Sequence, residues 1–185
     1  MKQTQKLRQT SILLLLAALF ITGTACNGEE APVEESDADD VRTIEITGVD
    51  QMNFVVAEET EGIVTGQQIG EEYELEQILA QPGEEISIRL ESRSELPASA
   101  MSHNFILLEM DTDVDRFANE SMTAPDNDYI SPDMEDQVIV ATDMLAGGES
   151  DTIQFAVPTE PGTYTFICSF PGHYAGGMVG EIVVE

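Results

Sequence analysis

Near its carboxyl end the chain reads Cys168-Ser169-Phe170-Pro171-Gly172-His173-Tyr174-Ala175-Gly176-Gly177-Met178. This stretch brings a thiol, an imidazole and a thioether within eleven residues of one another. It contains the turn-forming pair Pro171-Gly172, and it lies between two segments, 163–168 and 180–185, that are rich in β-branched and aromatic residues. The pattern predicts a loop between two β-strands that carries soft metal ligands.

The residue types in this loop indicate copper. Thiolate and thioether sulfur favour Cu(I), imidazole also accepts Cu(II), and two histidines, one cysteine and a weak axial methionine form the blue-copper arrangement. The sequence holds two histidines, His173 in the loop and His103 further upstream. We therefore predict one copper bound by His103, Cys168 and His173, with Met178 as the axial ligand. A single histidine or cysteine is more often a packed side chain than a ligand, so the prediction depends on the four occurring together.

The rest of the chain reads as short β-strands. Alternating or β-branched runs that are separated by Gly and Pro turns are typical of a β-sandwich or barrel. One short helix is predicted over 113–122, and the stretch 58–79 is interpreted as an inserted loop or small flap without chemistry. The predicted strands are 41–47, 52–56, 85–91, 102–108, 137–142, 152–157, 163–168 and 180–185.

Residues 1–26 have the pattern of an export signal. Three basic residues within the first eight positions precede an apolar run, Ile12 to Ile21, whose ten residues fall short of the ~20 that a membrane-spanning helix needs. The segment ends in Gly23-Thr24-Ala25-Cys26, which resembles the bacterial lipoprotein cleavage box. We expect Cys26 to be lipidated, so that the exported protein is anchored to a bacterial membrane and faces the periplasm or the cell exterior. The alternative is cleavage after Ala25, with Cys26 left as an ordinary residue.

An acidic segment separates the signal from the folded part. Residues 27–40 include seven acids and little to bury, which predicts a disordered tether. Residues 41–185 are enough for a single domain with its own core. Cys168 is the one cysteine of that domain, so a disulfide within it is excluded.

The net charge of the chain is −29, from 36 acidic and seven basic residues. Three of the basic residues lie in the signal, which leaves four arginines and no lysine. Such a charge excludes nucleic-acid binding, which needs a cationic surface. Self-repulsion between the acids should weaken at molar salt, where the screening length is ~3 Å. We interpret the composition as that of a protein from a salt-loving source, and the alternative is an acidic surface made for a cationic partner.

From about Ile78 onward the chain resembles the cupredoxins, and among them the azurin and auracyanin branch. The resemblance covers the copper loop together with several motifs that occur in azurin-like order. These motifs are Leu96-Pro97 five residues before Met101-Ser102-His103-Asn104, Asp128-Tyr129-Ile130-Ser131-Pro132-Asp133, Gly147-Gly148-Glu149-Ser150-Asp151, and Tyr164-Thr165-Phe166-Ile167-Cys168-Ser169-Phe170-Pro171-Gly172-His173.

The resemblance implies an eight-stranded Greek-key β-sandwich with copper near one end. It implies that Asn104 hydrogen-bonds around the ligand loop and that the backbone N–H of Phe170 donates to the cysteine sulfur. Such contacts orient the ligands and tune the metal. The chain departs from azurins in having four residues instead of three between His173 and Met178, and in having Ser102 where azurins have a glycine whose carbonyl approaches copper.

The resemblance also implies an electron carrier that passes its electron through His173. The apolar residues around that histidine form a predicted docking patch for redox proteins, and we expect a monomer, since redox partners meet through small and transient interfaces. The predicted patch consists of Leu96, Ala100, Met101, Phe170, Pro171, Tyr174 and Ala175.

Three other functions are alternatives to electron transfer. A copper enzyme, such as a nitrite reductase or a multicopper oxidase, needs further histidines, and none remain after His103 and His173. A copper chaperone or delivery protein is the main alternative, although its ligands would be expected in exposed Met and His clusters. An adhesion domain without metal would leave the four predicted ligands as a coincidence.

Overall fold

The computed structural model describes residues 41–185, which form twelve β-strands and one α-helix. The signal 1–26 with Cys26, and the acidic tether 27–40, lie outside the described residues. The strands are β1 Arg42–Val49, β2 Asn53–Val56, β3 Ile63–Ile69, β4 Glu72–Ala80, β5 Glu85–Arg93, β6 Ser102–His103, β7 Ile106–Leu108, β8 Val138–Ala141, β9 Leu145–Ala146, β10 Ser150–Ala156, β11 Gly162–Ile167 and β12 Val179–Val184. Helix α1 spans Val114–Ser121, and two 3₁₀ turns span Pro125–Asn127 and Pro132–Gln137.

Ten of these strands hydrogen-bond into one sheet. The pairing order is β10-β5-β1-β2-β4-β12-β11-β7-β8, with β3 pairing β4 outside this path, while β6 and β9 pair with each other. The pairs β1–β5 and β4–β12 are parallel and the other pairs are antiparallel, so the chain crosses between distant strands. Inward side chains from both halves of the sheet, such as Ile46, Leu90, Ile78 and Ile182, belong to one buried cluster. The fold is therefore the predicted Greek-key β-sandwich.

Alternation along the strands builds this core. In β5 the apolar residues Ile86, Ile88 and Leu90 are buried. The outward positions that alternate with them toward the end of the strand are charged, namely Arg89, Glu91 and Arg93. Three aromatic rings occupy the centre, with Phe166 4.8 Å from Phe105 and 5.5 Å from Phe54 between ring centroids. Such offset and edge-to-face contacts add to the burial energy of the rings. The end of β6 at His103 and the end of β11 next to Cys168 therefore extend from a closely packed interior.

Helix α1 packs outside the sandwich on a second, smaller cluster. Its N-cap is Asp113, whose side chain accepts a hydrogen bond from the backbone N–H of Arg116. Its buried Phe117 packs with Ile106 and Ile167 on the adjacent strands. The predicted helix 113–122 is thus present. No helix within residues 41–185 has both the length and the apolar character that crossing a membrane requires.

The interpretation of 58–79 as an inserted loop or flap is wrong. Most of the segment forms the hairpin β3–β4, and Leu75 and Ile78 of β4 are fully buried in the core. Strand β4 pairs in parallel with β12, where the amide of Gln77 donates to the carboxylate of Glu181 at 2.8 Å. The segment is therefore a structural part of the sheet.

The strand predicted over 102–108 is divided in two. Ser102 and His103 form β6, which pairs with β9. Ile106 to Leu108 form β7, which pairs with β8 and β11 in the large sheet. Between them the backbone N–H of Phe105 bonds the hydroxyl of Thr142 instead of a strand partner. This division, the hairpin β3–β4 and the two-residue strand β9 explain why twelve strands occur in place of the predicted eight.

Candidate metal centre

Three of the four predicted ligands, His103, Cys168 and His173, reach one site from different elements. His103 is the last residue of β6, and Cys168 follows β11 directly. His173 lies in the loop between β11 and β12, which is closed by its own backbone. The N–H of His173 donates to the carbonyl of Phe170 at 3.0 Å, the N–H of Met178 donates to the carbonyl of His173 at 3.0 Å, and the N–H of Cys168 donates to the carbonyl of Met178 at 3.2 Å.

These donors form the one group of potential metal ligands found within residues 41–185. One nitrogen of each histidine and the sulfur of Cys168 all lie within 4.8 Å of one another. The Cys168 Sγ is 3.4 Å from the Nδ1 of His173, and the centroids of the two imidazole rings are 4.9 Å apart. His103 and Cys168 are fully buried, and His173 is 3% exposed.

The ring nitrogens of His103 indicate what the site is built to hold. Both are buried, and neither has a hydrogen-bond partner among the described residues. An unpartnered buried nitrogen costs about 1–3 kcal/mol, so such atoms are rare in native structures. A metal ion bound between His103, Cys168 and His173 would satisfy one of them. Two imidazoles and one thiolate suit copper in both oxidation states, so the residues present fit the predicted ion.

Burial keeps the three donors neutral in the metal-free protein. The pKa of His103 is lowered to about 4, mainly by desolvation and also by the nearby His173, while Asp50 opposes the shift. Desolvation also lowers the pKa of His173 to about 4. The pKa of the Cys168 thiol is raised by burial to about 12. The histidines are therefore ready to bind a metal at neutral pH, whereas Cys168 must release a proton on binding.

Backbone groups surround the sulfur of Cys168. The N–H groups of Asn104 and Phe170 hydrogen-bond it, and both contacts oppose the rise of the thiol pKa because they favour the thiolate. The carbonyl of Ser102 lies 3.9 Å from the sulfur, and the Ser102 hydroxyl donates to the carbonyl of Ala98. The structure thus places Asn104, Phe170 and Ser102 beside Cys168.

The side chain of Asn104 joins three segments around the site. Its amide donates to the carbonyl of Asp128 and to the hydroxyl of Ser169, both at 3.0 Å, and its oxygen accepts from the N–H of Ser169 at 2.9 Å. Asp128 and Tyr129 both have left-handed backbone conformations, with φ of 50° and 55°. Ser169 was not predicted to take part, since its only signal in the sequence is its position directly after Cys168.

Met178 and Tyr174 complete the loop. Met178 is fully buried and belongs to the main core cluster. Tyr174 packs against the smaller hydrophobic cluster, which contains Phe117 of α1. Its hydroxyl donates to the carboxylate of Asp115 at 3.0 Å, and this hydrogen bond attaches the loop to the helix. Asp115 was not predicted to contact the site region, because a helix-to-loop contact across 59 positions leaves no local pattern.

The residues of the predicted docking patch differ in exposure. Leu96 is 47% exposed, and Ala100, Pro171 and Ala175 are also exposed. Met101 and Tyr174 are half-buried, and Phe170 is nearly buried, with its ring centroid 4.7 Å from that of His173.

Known proteins resemble this chain in both sequence and fold. Residues 38–185 match the model of the copper binding proteins of the plastocyanin/azurin family. Azurin from Alcaligenes faecalis is 36% identical over 94 residues, which cover 49% of this chain and 72% of that protein. Auracyanin-B from Chloroflexus aurantiacus is 38% identical over 88 residues, which cover 45% of this chain and only 36% of that protein. The crystal structure of dithionite-reduced auracyanin from Roseiflexus castenholzii superposes with a TM-score of 0.58 at 27% identity, over 77% of this chain and 96% of that one.

Fold, donor set and similarity together define a cupredoxin. The chain belongs to the plastocyanin/azurin family of copper-binding proteins, and its relatives place it in the azurin and auracyanin branch, as the motifs predicted. It binds one copper per chain. Proteins of this class are electron carriers and not enzymes, which agrees with the count of histidines.

Proposed function

We propose that this protein is a type 1 (blue) copper carrier that shuttles single electrons between redox proteins at the outer side of a bacterial membrane. His103, Cys168 and His173 are the proposed ligands, and Met178 is the proposed weak axial ligand. The observation that carries the proposal is the group of three buried donors within 4.8 Å of one another. Copper held there supplies a one-electron Cu(I)/Cu(II) couple.

The protein contributes a site that does not rearrange. His103 is held by strand pairing, and Cys168 and His173 are held by the closed backbone of the loop. The N–H groups of Asn104 and Phe170 stabilise the thiolate, and the buried surroundings exclude water from the sulfur. Because none of these groups needs to move, the reorganisation that accompanies electron transfer stays small.

The same burial favours a carrier over a copper delivery protein. A delivery protein must present its ligands to a partner so that the ion can be exchanged. Here two of the three donors are fully buried and the third, His173, is 3% exposed. Release of the ion would require the ligand loop to open against its hydrogen bonds to α1 and to its own backbone.

Redox partners are proposed to dock at the apolar patch around His173. Phe170 contacts the His173 ring, and the exposed residues Leu96, Pro171 and Ala175 offer uncharged surface on a strongly acidic protein. A small apolar surface of this kind suits the transient interfaces that redox proteins form. We expect the carrier itself to be a monomer.

The proposed location depends on the sequence before residue 27. The basic start, the ten-residue apolar run and the box that ends in Cys26 support export and lipidation. The acidic segment 27–40 would then hold the sandwich away from the membrane surface. Replacing Cys26 by Ser should release the protein from the membrane fraction, and a Cys26→Ser protein that stays membrane-bound would contradict lipid anchoring.

The acidic surface is proposed to suit high salt. Within residues 41–185 every arginine pairs with a glutamate, so most of the remaining acids have no cation to pair with and repel one another. Screening reduces this repulsion. The melting temperature should rise from dilute buffer to molar NaCl, and a flat profile would favour an acidic surface made for a cationic partner.

Optical and EPR spectra of the purified full chain after addition of Cu(II) test the proposed function. We expect one copper per chain, an intense blue colour from charge transfer between the thiolate and the ion, bleaching by ascorbate and recovery with ferricyanide. A colourless protein, or the pale spectrum of a tetragonal Cu(II) site, would overturn the proposal.

A further inference from the structure

We propose that Gly48 is a positioning residue for His103, and that the bare backbone of β1 at this point sets the orientation of the imidazole ring. The inference rests on the proposed copper site, in which His103 is a ligand. A Cβ atom at Gly48 would lie 2.7 Å from Cγ, 2.8 Å from Cδ2 and 2.9 Å from Cβ of His103. Real Cβ atoms are essentially never found so close to other heavy atoms. The histidine therefore occupies the space that any other residue at position 48 would fill.

The backbone of Gly48 cannot move away from the ring. Gly48 lies in the interior of the sheet and is paired on both sides, with Phe54 of β2 and with Ser92 of β5. Displacing it would disturb hydrogen-bonded ladders on two neighbouring strands. Because such buried backbone groups are costly to leave unpaired, the backbone of β1 at Gly48 keeps its position next to the His103 ring.

The ring of His103 has little freedom to move away either. Its residue is fully buried and paired with Leu145 of β9. On the side of the site, its ring centroid is 4.9 Å from that of His173. A side chain at position 48 would therefore change the position of the imidazole relative to His173 and Cys168, instead of being absorbed elsewhere.

The sequence of β1 indicates that position 48 is glycine because another group lies close to it. The strand buries Ile44 and Ile46 on its inward face, and the next inward position is Gly48. A glycine inside a strand costs about 0.5–1 kcal/mol and often marks a close approach by another group. The φ angle of Gly48 is not positive, so the backbone conformation does not require glycine there. The close approach at this position is made by His103.

The decisive variant is Gly48→Ala in the full chain, loaded with copper. Displacing one imidazole should weaken binding of Cu(II) more than binding of Cu(I), because Cu(I) tolerates fewer donors. We expect the ratio of the two affinities to change by about tenfold, which raises the reduction potential by about 59 mV for a one-electron couple. The copper hyperfine splitting in the EPR spectrum should change as well.

Two matched variants separate positioning from ordinary loss of packing. Gly66→Ala makes the same chemical change in β3, where the atoms nearest to the new methyl group belong to the carboxylate ends of the flexible side chains of Glu76 and Glu74. Ile46→Val removes one buried methylene from the inward face of β1 itself. Both should lower the melting temperature slightly at most, and both should keep the wild-type EPR spectrum and potential.

The wild-type protein provides a test that needs no variant. In the Cu(I) and metal-free forms, the Hα protons of Gly48 should show nuclear Overhauser contacts to Hδ2 of His103 and ring-current shifts from its imidazole. Their absence would overturn the proposal even if Gly48→Ala does not fold. A folded Gly48→Ala protein with an unchanged EPR spectrum and potential would overturn it as well. In both cases a blue wild-type protein would leave the proposed function intact, whereas a colourless wild type would contradict that function first.

Discussion

The two histidines of the site are held by two kinds of structure. His103 lies in a paired strand, against the bare backbone of Gly48, and its position is set by the sheets. His173 lies in a loop that is closed by short-range hydrogen bonds and attached to α1 through Tyr174. The loop also carries Cys168 and Met178. The strand side therefore supplies position, whereas the loop side supplies the sulfur chemistry that distinguishes the site.

The largest expected effect comes from removing that sulfur. Cys168→Ser should abolish the blue colour completely, because the charge-transfer band requires the thiolate, while the fold stays intact since serine fills nearly the same volume. Optical spectra and far-UV circular dichroism of the copper-loaded variant check both parts. Cys26→Ser is the matched control and should keep the full colour. A blue Cys168→Ser protein would show that Cys168 is not the source of the colour, and would contradict the proposed ligand set.

The pH dependence of the metal-free protein tests whether the two histidines are equally buried despite their different supports. Their pKa values are about 4 in the folded state, against 6.5 ordinarily, so the unfolded chain binds more protons between these values. The free energy of unfolding should therefore fall as the pH drops from 6.5 to 4. The thiol pKa of Cys168 is raised from 9 to about 12, so stability should also fall as the pH rises above 9. Urea titrations across this range should show a plateau between pH 6.5 and 9.

Single substitutions assign the acidic limb of that profile. His103→Phe and His173→Phe each remove one titrating group, and each should flatten the fall between pH 6.5 and 4 relative to wild type. Taking the difference between variant and wild type removes the contribution of the many carboxylates. A difference that does not change with pH in either variant would show that the histidine in question is not desolvated.

Asn104→Ala should destabilise the junction between the strand side and the loop side. The variant loses three hydrogen bonds and leaves the buried N–H of Ser169 without its partner, while the carbonyl of the exposed Asp128 keeps only the longer contact from the Ser169 hydroxyl at 3.5 Å. At about 1 kcal/mol for each bond, we expect unfolding to become easier by roughly 2–4 kcal/mol in urea titrations. Asn119→Ala removes an exposed amide contact on α1 and should cost less than about 0.5 kcal/mol. Equal effects of the two variants would contradict the proposed junction.

The smallest effect is expected at Met178. A thioether donates weakly and stabilises Cu(II) more than Cu(I), so Met178→Leu should keep the other three ligands and the blue colour. The reduction potential should rise by roughly 60–120 mV, since each tenfold change in relative affinity corresponds to ~59 mV. Voltammetry of wild type and variant measures the shift. An unmoved potential would remove Met178 from the ligand set and leave His103, Cys168 and His173 in place.

The sequence was informative where chemistry is carried by residue type. His103, Cys168 and His173 could be singled out because histidine and cysteine are scarce in this chain, and the structure brings their donor atoms together. Short alternating runs likewise located most strands. These signals are local, since each depends on a residue or on its near neighbours in the chain.

Contacts between distant segments could not be predicted in the same way. Strand β4 was mistaken for part of a loop because its place depends on parallel pairing with β12, about a hundred residues away. The role of Gly48 is similar. The sequence has Ile44 and Ile46 at alternate positions of β1 and glycine at the next one, Gly48. Only the fold shows that His103 fills the space beside that glycine.

The burial of Cys168 has a consequence for the protein before it receives its metal. Thiols are oxidised or alkylated through the thiolate, and at neutral pH a thiol whose pKa is raised to about 12 contains almost none. The sulfur is also inaccessible, and residues 41–185 offer no second cysteine with which it could form a disulfide. A metal-free domain in an oxidising compartment would therefore keep its sulfur ligand reduced, so that arrival of copper could be delayed without loss of the site.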